Sequence, residues 1–155
     1  MKLIYTKTKE EFDAEIVEIE EEDFQKIIEN KQFEFDWNQE KTNHIFKIVG
    51  IQKEEGKILG LISLIDIRDE FRIHINLVES SKENQGKSKK INRIAGCLLA
   101  FACQVAFEKG YIGFASLVPK TLLIPLYIKK YGFSQYGRQL AIEGKPAINL
   151  IQKYL

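Results

Sequence analysis

The chain of 155 residues is short of the residues that usually staple or punctuate a small fold, with two cysteines, three prolines, two histidines and one tryptophan. Its thiols, Cys97 and Cys103, fall in one apolar segment on different helical faces, which excludes a disulfide between them and reads as two buried reduced cysteines. So few His and Cys, at no ligand-like spacing, lead to the expectation of no metal site. Neither sign of charge prevails. The 23 basic and 22 acidic groups remove the electrostatic case for broad nucleic-acid or membrane binding. No apolar run approaches the roughly 20 residues that a membrane-spanning helix requires, and the opening MKLIYTKTKEEF turns charged too early for a signal peptide. A cytoplasmic protein is expected, with neither nucleic acid nor membrane as partner.

What is present is a hydrophobic content of 45%, enough for one continuous core, and a single domain over residues 1–155 is expected. Leu3 to Thr6 reads as a short strand, and Phe12, Ile16, Ile19, Phe24, Ile27 and Ile28 recur at helical spacing, predicting one or two amphipathic helices. Residues Gln32 to Thr42, with Phe33, Phe35 and Trp37 alternating with Glu34 and Asp36, break that pattern and read as a partly extended loop. Three strand-like runs follow, His44–Ile51, Lys57–Ile67 and Phe71–Val78, joined by short charged turns as in an antiparallel meander. A lysine-rich segment ending at Lys90 feeds a helix expected over Ile91–Lys109, apolar nearly all round and stopped by Gly110. Tyr111–Val118 then reads as a buried strand, and strand, helix, strand implies a parallel pair. A helix from Thr121 to Lys130, a hairpin about Gly137 and a short helix from Pro146 complete the chain.

Two segments carry candidate chemistry. Lys82, Lys87, Lys89, Lys90 and Arg93 crowd the start of the long helix, where backbone N–H groups and the helix dipole favour anions. Taken alone the run reads as a solvated loop, and Gly86-Lys87-Ser88 lacks the earlier glycine of a nucleotide-triphosphate loop. Aligned on Leu98 and Leu99, the six residues Lys90, Ile91, Asn92, Arg93, Ile94 and Ala95 stand at a motif of the form Q/R-x-x-G-x-G/A, with Arg93 at the central Gly. The second segment, TLLIPLYIKKYGF at Thr121–Phe133, is similar to a helix ending in Y-x-x-x-G-F, with Tyr127 five residues before Gly132 instead of four.

With the order of elements, these motifs resemble the GNAT superfamily of acetyl-CoA-dependent N-acetyltransferases across almost the whole chain. The resemblance implies an α/β (α+β) fold, a mixed and mainly antiparallel sheet of about six to seven strands with helices on both faces. It implies acetyl-CoA as cosubstrate and a primary amine as acceptor, joined in a ternary complex. Leu77, Val78, Lys89, Lys90, Ile91, Asn92, Arg93, Ile94, Ala95 and Lys120 would contact the cosubstrate, Tyr127 would protonate the leaving thiolate, and Glu79 would act as base. Glu34, Asp36 and Trp37 would line the acceptor side, with a homodimer as a further implied assembly. The alternative is a non-catalytic CoA-sensing or protein-interaction module on the same fold. His74, alone on a strand, reads as structural.

Overall fold

The computed structural model describes residues 1–155, and the chain divides into two compact units. The first comprises Met1–Ser63 and Leu77–Leu98, the second Leu64–Asn76 and Leu99–Leu155.

In the first unit, β1 (Lys2–Tyr5) and β2 (Glu11–Glu18) pair antiparallel with Leu3 opposite Phe12, and β2 pairs antiparallel with β3 (His44–Gly50). This corrects the helical reading of Phe12 to Ile19. Buried Phe12 and Ala14 alternate with exposed Glu11, Asp13 and Glu15, a period of two, and Phe12 and Ile16 satisfy a helical step only because four residues are also two strand repeats. The helix is confined to α1 (Glu21–Asn30). Its start is fixed by Asp23, whose buried carboxylate accepts the Glu20 N–H at 2.8 Å and the Lys47 ammonium at 2.7 Å. Phe24 and Ile27 then pack with Trp37, Ile45, Ile58 and Leu61.

The strands β4 (Gly60–Ile67) and β5 (Arg72–Ser80) follow. Gly60 has no room for a side chain: a Cβ there would stand 2.7 Å from Ile94 Cγ2 and 3.1 Å from Leu98 Cδ1. The long helix α2 spans Ile94–Glu108, later than the Ile91 expected, because Ile91 and Asn92 form a short strand, β6, opposite Tyr5 and Ile4 of β1.

In the second unit, α2 ends at Glu108 and the chain turns at Gly110 (φ +82°), where the Tyr111 N–H reaches back to the Ala106 carbonyl at 2.8 Å. Positive φ at Gly110, Ile112 and Gly113 turns the chain, so β7 is only Ala115–Leu117 and not the longer strand expected from Tyr111. β5 and β7 run parallel, with Ile73 opposite Ala115. α3 (Ile124–Tyr131), the hairpin β8 (Ser134–Tyr136) and β9 (Gln139–Ile142), and α4 (Lys145–Tyr154) complete the chain, β9 pairing antiparallel with both β7 and β8. Strand order is β6-β1-β2-β3-β4-β5-β7-β9-β8, a mixed, mostly antiparallel arrangement of nine strands. The count exceeds six to seven because β2, whose spacing also fits a helix, and the two-residue β6, expected as the start of the long helix, are strands.

Candidate functional site

The N-terminal end of α2, where the sequence places an anion site, is built by three connections. The first helical bond runs from the Cys97 N–H to the Arg93 carbonyl at 2.9 Å, so the amides of Ile94, Ala95 and Gly96 precede the i→i−4 ladder. Upstream, the buried Asn84 side chain accepts the Ile91 N–H at 3.0 Å, and the Lys90 N–H donates to the Glu83 carbonyl at 3.1 Å. Those two amides are bonded within the protein. Arg93 keeps a left-handed backbone, φ +83°, the conformation a glycine supplies without strain, and its Nε donates to the Lys2 carbonyl at 3.0 Å.

A cavity of ≈520 Å³ brings Lys89, Lys90 and Ile91, in the segment that leads into α2, together with Lys7, Lys53 and Lys57. Three of its five lysines meet glutamates: Lys53 with Glu10 at 3.4 Å, Lys57 with Glu54 at 2.7 Å and Lys90 with Glu83 at 3.2 Å. The hydrogen bond from Lys57, outweighing desolvation, holds the Glu54 carboxyl below its usual range. Lys7 and Lys89 form none of these ion pairs. Five lysines against the three glutamates Glu10, Glu54 and Glu83 leave the cavity a positive balance that suits an anion.

Glu79 occupies a different setting. On β5, buried Ile73, Ile75 and Glu79 share one parity, so its carboxylate points the way the core residues do. Oε2 accepts the Glu34 N–H at 2.7 Å, while Oε1 accepts the Phe35 N–H at 3.4 Å and the Trp37 indole N–H at 2.9 Å. Glu79 thus clamps the segment that carries Glu34, Asp36 and Trp37. Trp37 is 2% exposed and belongs to the core cluster. Asp36 caps the 3-10 turn Trp37–Glu40 by accepting the Asn38 N–H at 3.1 Å, and Glu34 is exposed. Leu77 packs on the same core and Val78 is half-buried.

In the second unit, Tyr127 is half-buried on α3, its ring edge-on to Phe133 at 5.7 Å and tilted against Tyr131 at 5.8 Å. Burial raises its phenol above the ordinary tyrosine value. Its carbonyl accepts the N–H groups of Gly132 and Phe133, five and six residues on, a wider closure than the four-residue helical step. The additional residue before Gly132 is absorbed there. Lys120 stands exposed ahead of the 3-10 turn Thr121–Leu123. His74 Nδ1 lies 2.9 Å from Ser116 Oγ and 3.3 Å from Arg72 Nη1, and burial first, then the Arg72 charge, lowers its pKa.

No family model matches the sequence, and no curated protein matches it. Solved structures do. A mutant spermidine/spermine N-acetyltransferase SpeG from Vibrio cholerae superposes with a TM-score of 0.62 at 16% identity, over 88% of this chain and 96% of that one. The chain has the GNAT fold. An N-acetyltransferase from Staphylococcus aureus Mu50 matches at 17% identity over 84% of this chain and 98% of that one, with a TM-score of 0.56. A mutant AtaT toxin, solved with the C-terminus of the antitoxin AtaR and acetyl-CoA, matches at 14% identity over 89% and 98%, also with a TM-score of 0.56. Likeness at such identities is one of GNAT fold, and the chemistry has to be argued from the site.

The sequence reading of this GNAT-fold chain missed Lys7, Lys53 and Lys57, which two separated segments bring to the cavity lined by Lys89 and Lys90. Their only local signal was position in charged turns on either side of the first strands.

Proposed function

We propose that the chain is an N-acetyltransferase that moves the acetyl group of acetyl-CoA to a primary amine by direct attack within a ternary complex. The observation that carries this reading is the cavity lined by Ser88–Ile91, the segment that leads into α2, where Lys7 and Lys89 stand without ion pairs among five lysines. Two of the structural neighbours are named as N-acetyltransferases and a third was solved with acetyl-CoA, which supports the same class.

In this reading the lysines and the amides of Ile94 to Gly96 hold the phosphates, and Lys120 and the β5 backbone at Leu77 and Val78 orient the thioester arm. The amine nitrogen bonds to the acetyl carbon as the carbon–sulfur bond breaks. Tyr127, a phenol protonated at neutral pH and pushed further up by burial, donates its proton to the sulfur leaving group. Glu79 has three N–H donors on a carboxylate with about four acceptor sites, so one site remains by which it would take the amine proton, directly or through a water, while holding the acceptor loop.

Melting curves with acetyl-CoA test the reading. A ligand that binds the native state alone raises the melting temperature by mass action, and Lys89→Ala is expected to weaken that binding about three- to tenfold, more than Lys90→Ala, whose partner Glu83 already offsets its charge. No stabilisation at millimolar acetyl-CoA would remove the assignment.

A further inference from the structure

The acceptor side has a chemistry that the fold does not dictate. A second cavity, of ≈290 Å³, lies at the C-terminal end of α1 against the segment that Glu79 clamps. Its wall is apolar: Phe24, Ile27 and Phe33 pack at its base, and Ile28 and Phe35 line it while remaining 56% and 42% exposed. Large apolar groups left in water gain from being covered by a ligand of the same character. Three charged residues share that wall, Lys31, Lys82 and Asp36. Lys82 is tied to the site, since its N–H donates to the Gln32 carbonyl at 2.8 Å and the Gln32 side chain accepts the Glu83 N–H at 3.3 Å. Neither Lys31 nor Lys82 takes part in a salt bridge, whereas Asp36 keeps acceptor capacity beyond the Asn38 N–H. Two ammonium groups against one carboxylate give the hollow a positive balance.

That balance decides what fits. A polycationic amine is repelled by the two lysines, and an apolar amine without an anion leaves them without a counterion. We propose that the cavity takes an amphoteric acceptor, an α-amino acid with an aromatic or branched apolar side group, its carboxylate met by Lys31 and Lys82 and its ammonium drawn to Asp36. The volume stands at the small end of ligand cavities, the scale of one amino acid. The assignment rests on the acetyl-transfer reading: the amino acid loses a proton, its nitrogen takes the acetyl carbon, and an N-acetyl amino acid and a free thiol leave.

The product offers a probe that needs no turnover. Calorimetry with N-acetylphenylalanine and with its C-terminal amide is expected to show the acid binding at least about fivefold more tightly. Lys82→Ala is expected to reduce that difference, with Lys31 retained, and Lys82→Glu to erase it, each with a smaller effect on the amide. Equal affinities for acid and amide in the unaltered protein would overturn the proposal, as would faster acetylation of 1,4-diaminobutane than of phenylalanine. Acetyl-CoA melting shifts on the same samples separate the two failures. If the shift is present and the acid–amide difference absent, the acceptor assignment alone falls; if the shift is absent, the transferase reading falls and takes the acceptor role with it.

Discussion

Glu79 accepts the indole N–H of Trp37 at 2.9 Å across 42 residues of sequence, and the same buried carboxylate takes the backbone N–H groups of Glu34 and Phe35. One side chain on β5 therefore sets a whole surface segment. Glu79→Ala withdraws the acceptor from all three donors, at a cost of about 2–4 kcal/mol. The melting temperature is expected to fall by about 5–12 °C, with Glu79→Gln, which keeps one acceptor oxygen, losing less. Unchanged melting in the alanine variant would show that the segment is held by other contacts.

Arg93 combines a left-handed backbone with a hydrogen bond to the Lys2 carbonyl. Arg93→Gly relieves about 1 kcal/mol of backbone cost and forfeits a bond of about 1 kcal/mol, so stability is expected to stay nearly level. Arg93→Ala loses the bond and keeps the strain, and Arg93→Val adds β-branching to it. Urea titration is expected to rank glycine above alanine and alanine above valine. Glycine and alanine variants of equal stability would contradict the strained geometry.

Tyr127 carries a pKa raised above the usual tyrosine value by burial. Since the protonated form is the donor, turnover is expected to hold through neutral pH and fall only as pH climbs past about 10. Tyr127→Phe is expected to lower kcat by about 10²-fold, remove that alkaline limb and leave acetyl-CoA affinity intact. A kcat–pH profile of both proteins checks this, and a phenylalanine variant with unaltered turnover would take Tyr127 out of the reaction.

Burial pushes the thiol of Cys97 up to about 11 and that of Cys103 up to about 12. Unfolded thiols ionise near 8.5, so above that pH the unfolded chain releases two protons that the folded chain retains. Unfolding free energy is therefore expected to decline as pH rises from about 8.5 towards 11. Denaturant melts of the protein and of a Cys97→Ala/Cys103→Ala variant isolate the effect from that of other alkaline groups. Parallel pH dependences in the two would show that the thiols do not contribute.

Much of the second unit was legible because its signals are local. The apolar segment that forms α2, Gly110 after it and the strand beyond impose helix, stop and parallel crossover within neighbouring residues. Where partners are remote the reading failed. Phe12 and Ile16 fit two periods, and only pairing with β1 and β3 selects the strand. Ile91 and Asn92 leave the helix for β1, at the opposite end of the chain, and the lysine cavity draws on three distant segments. Glu79 was identifiable as a carboxylate at a strand end, but its three donors lie in a loop whose fold its own sequence does not specify.

Gly60 makes the position of the N-terminal end of α2 adjustable by a single methyl group. Its missing side chain is what lets Ile94, the first residue of α2, sit against β4, with Leu98 one turn behind. Adding carbon there would act as a shim, lifting the amide-bearing tip without touching any charged group. Affinity for a polyanion at that tip would then respond to bulk at a position that never meets the ligand, a mechanical handle on binding hidden inside the hydrophobic layer.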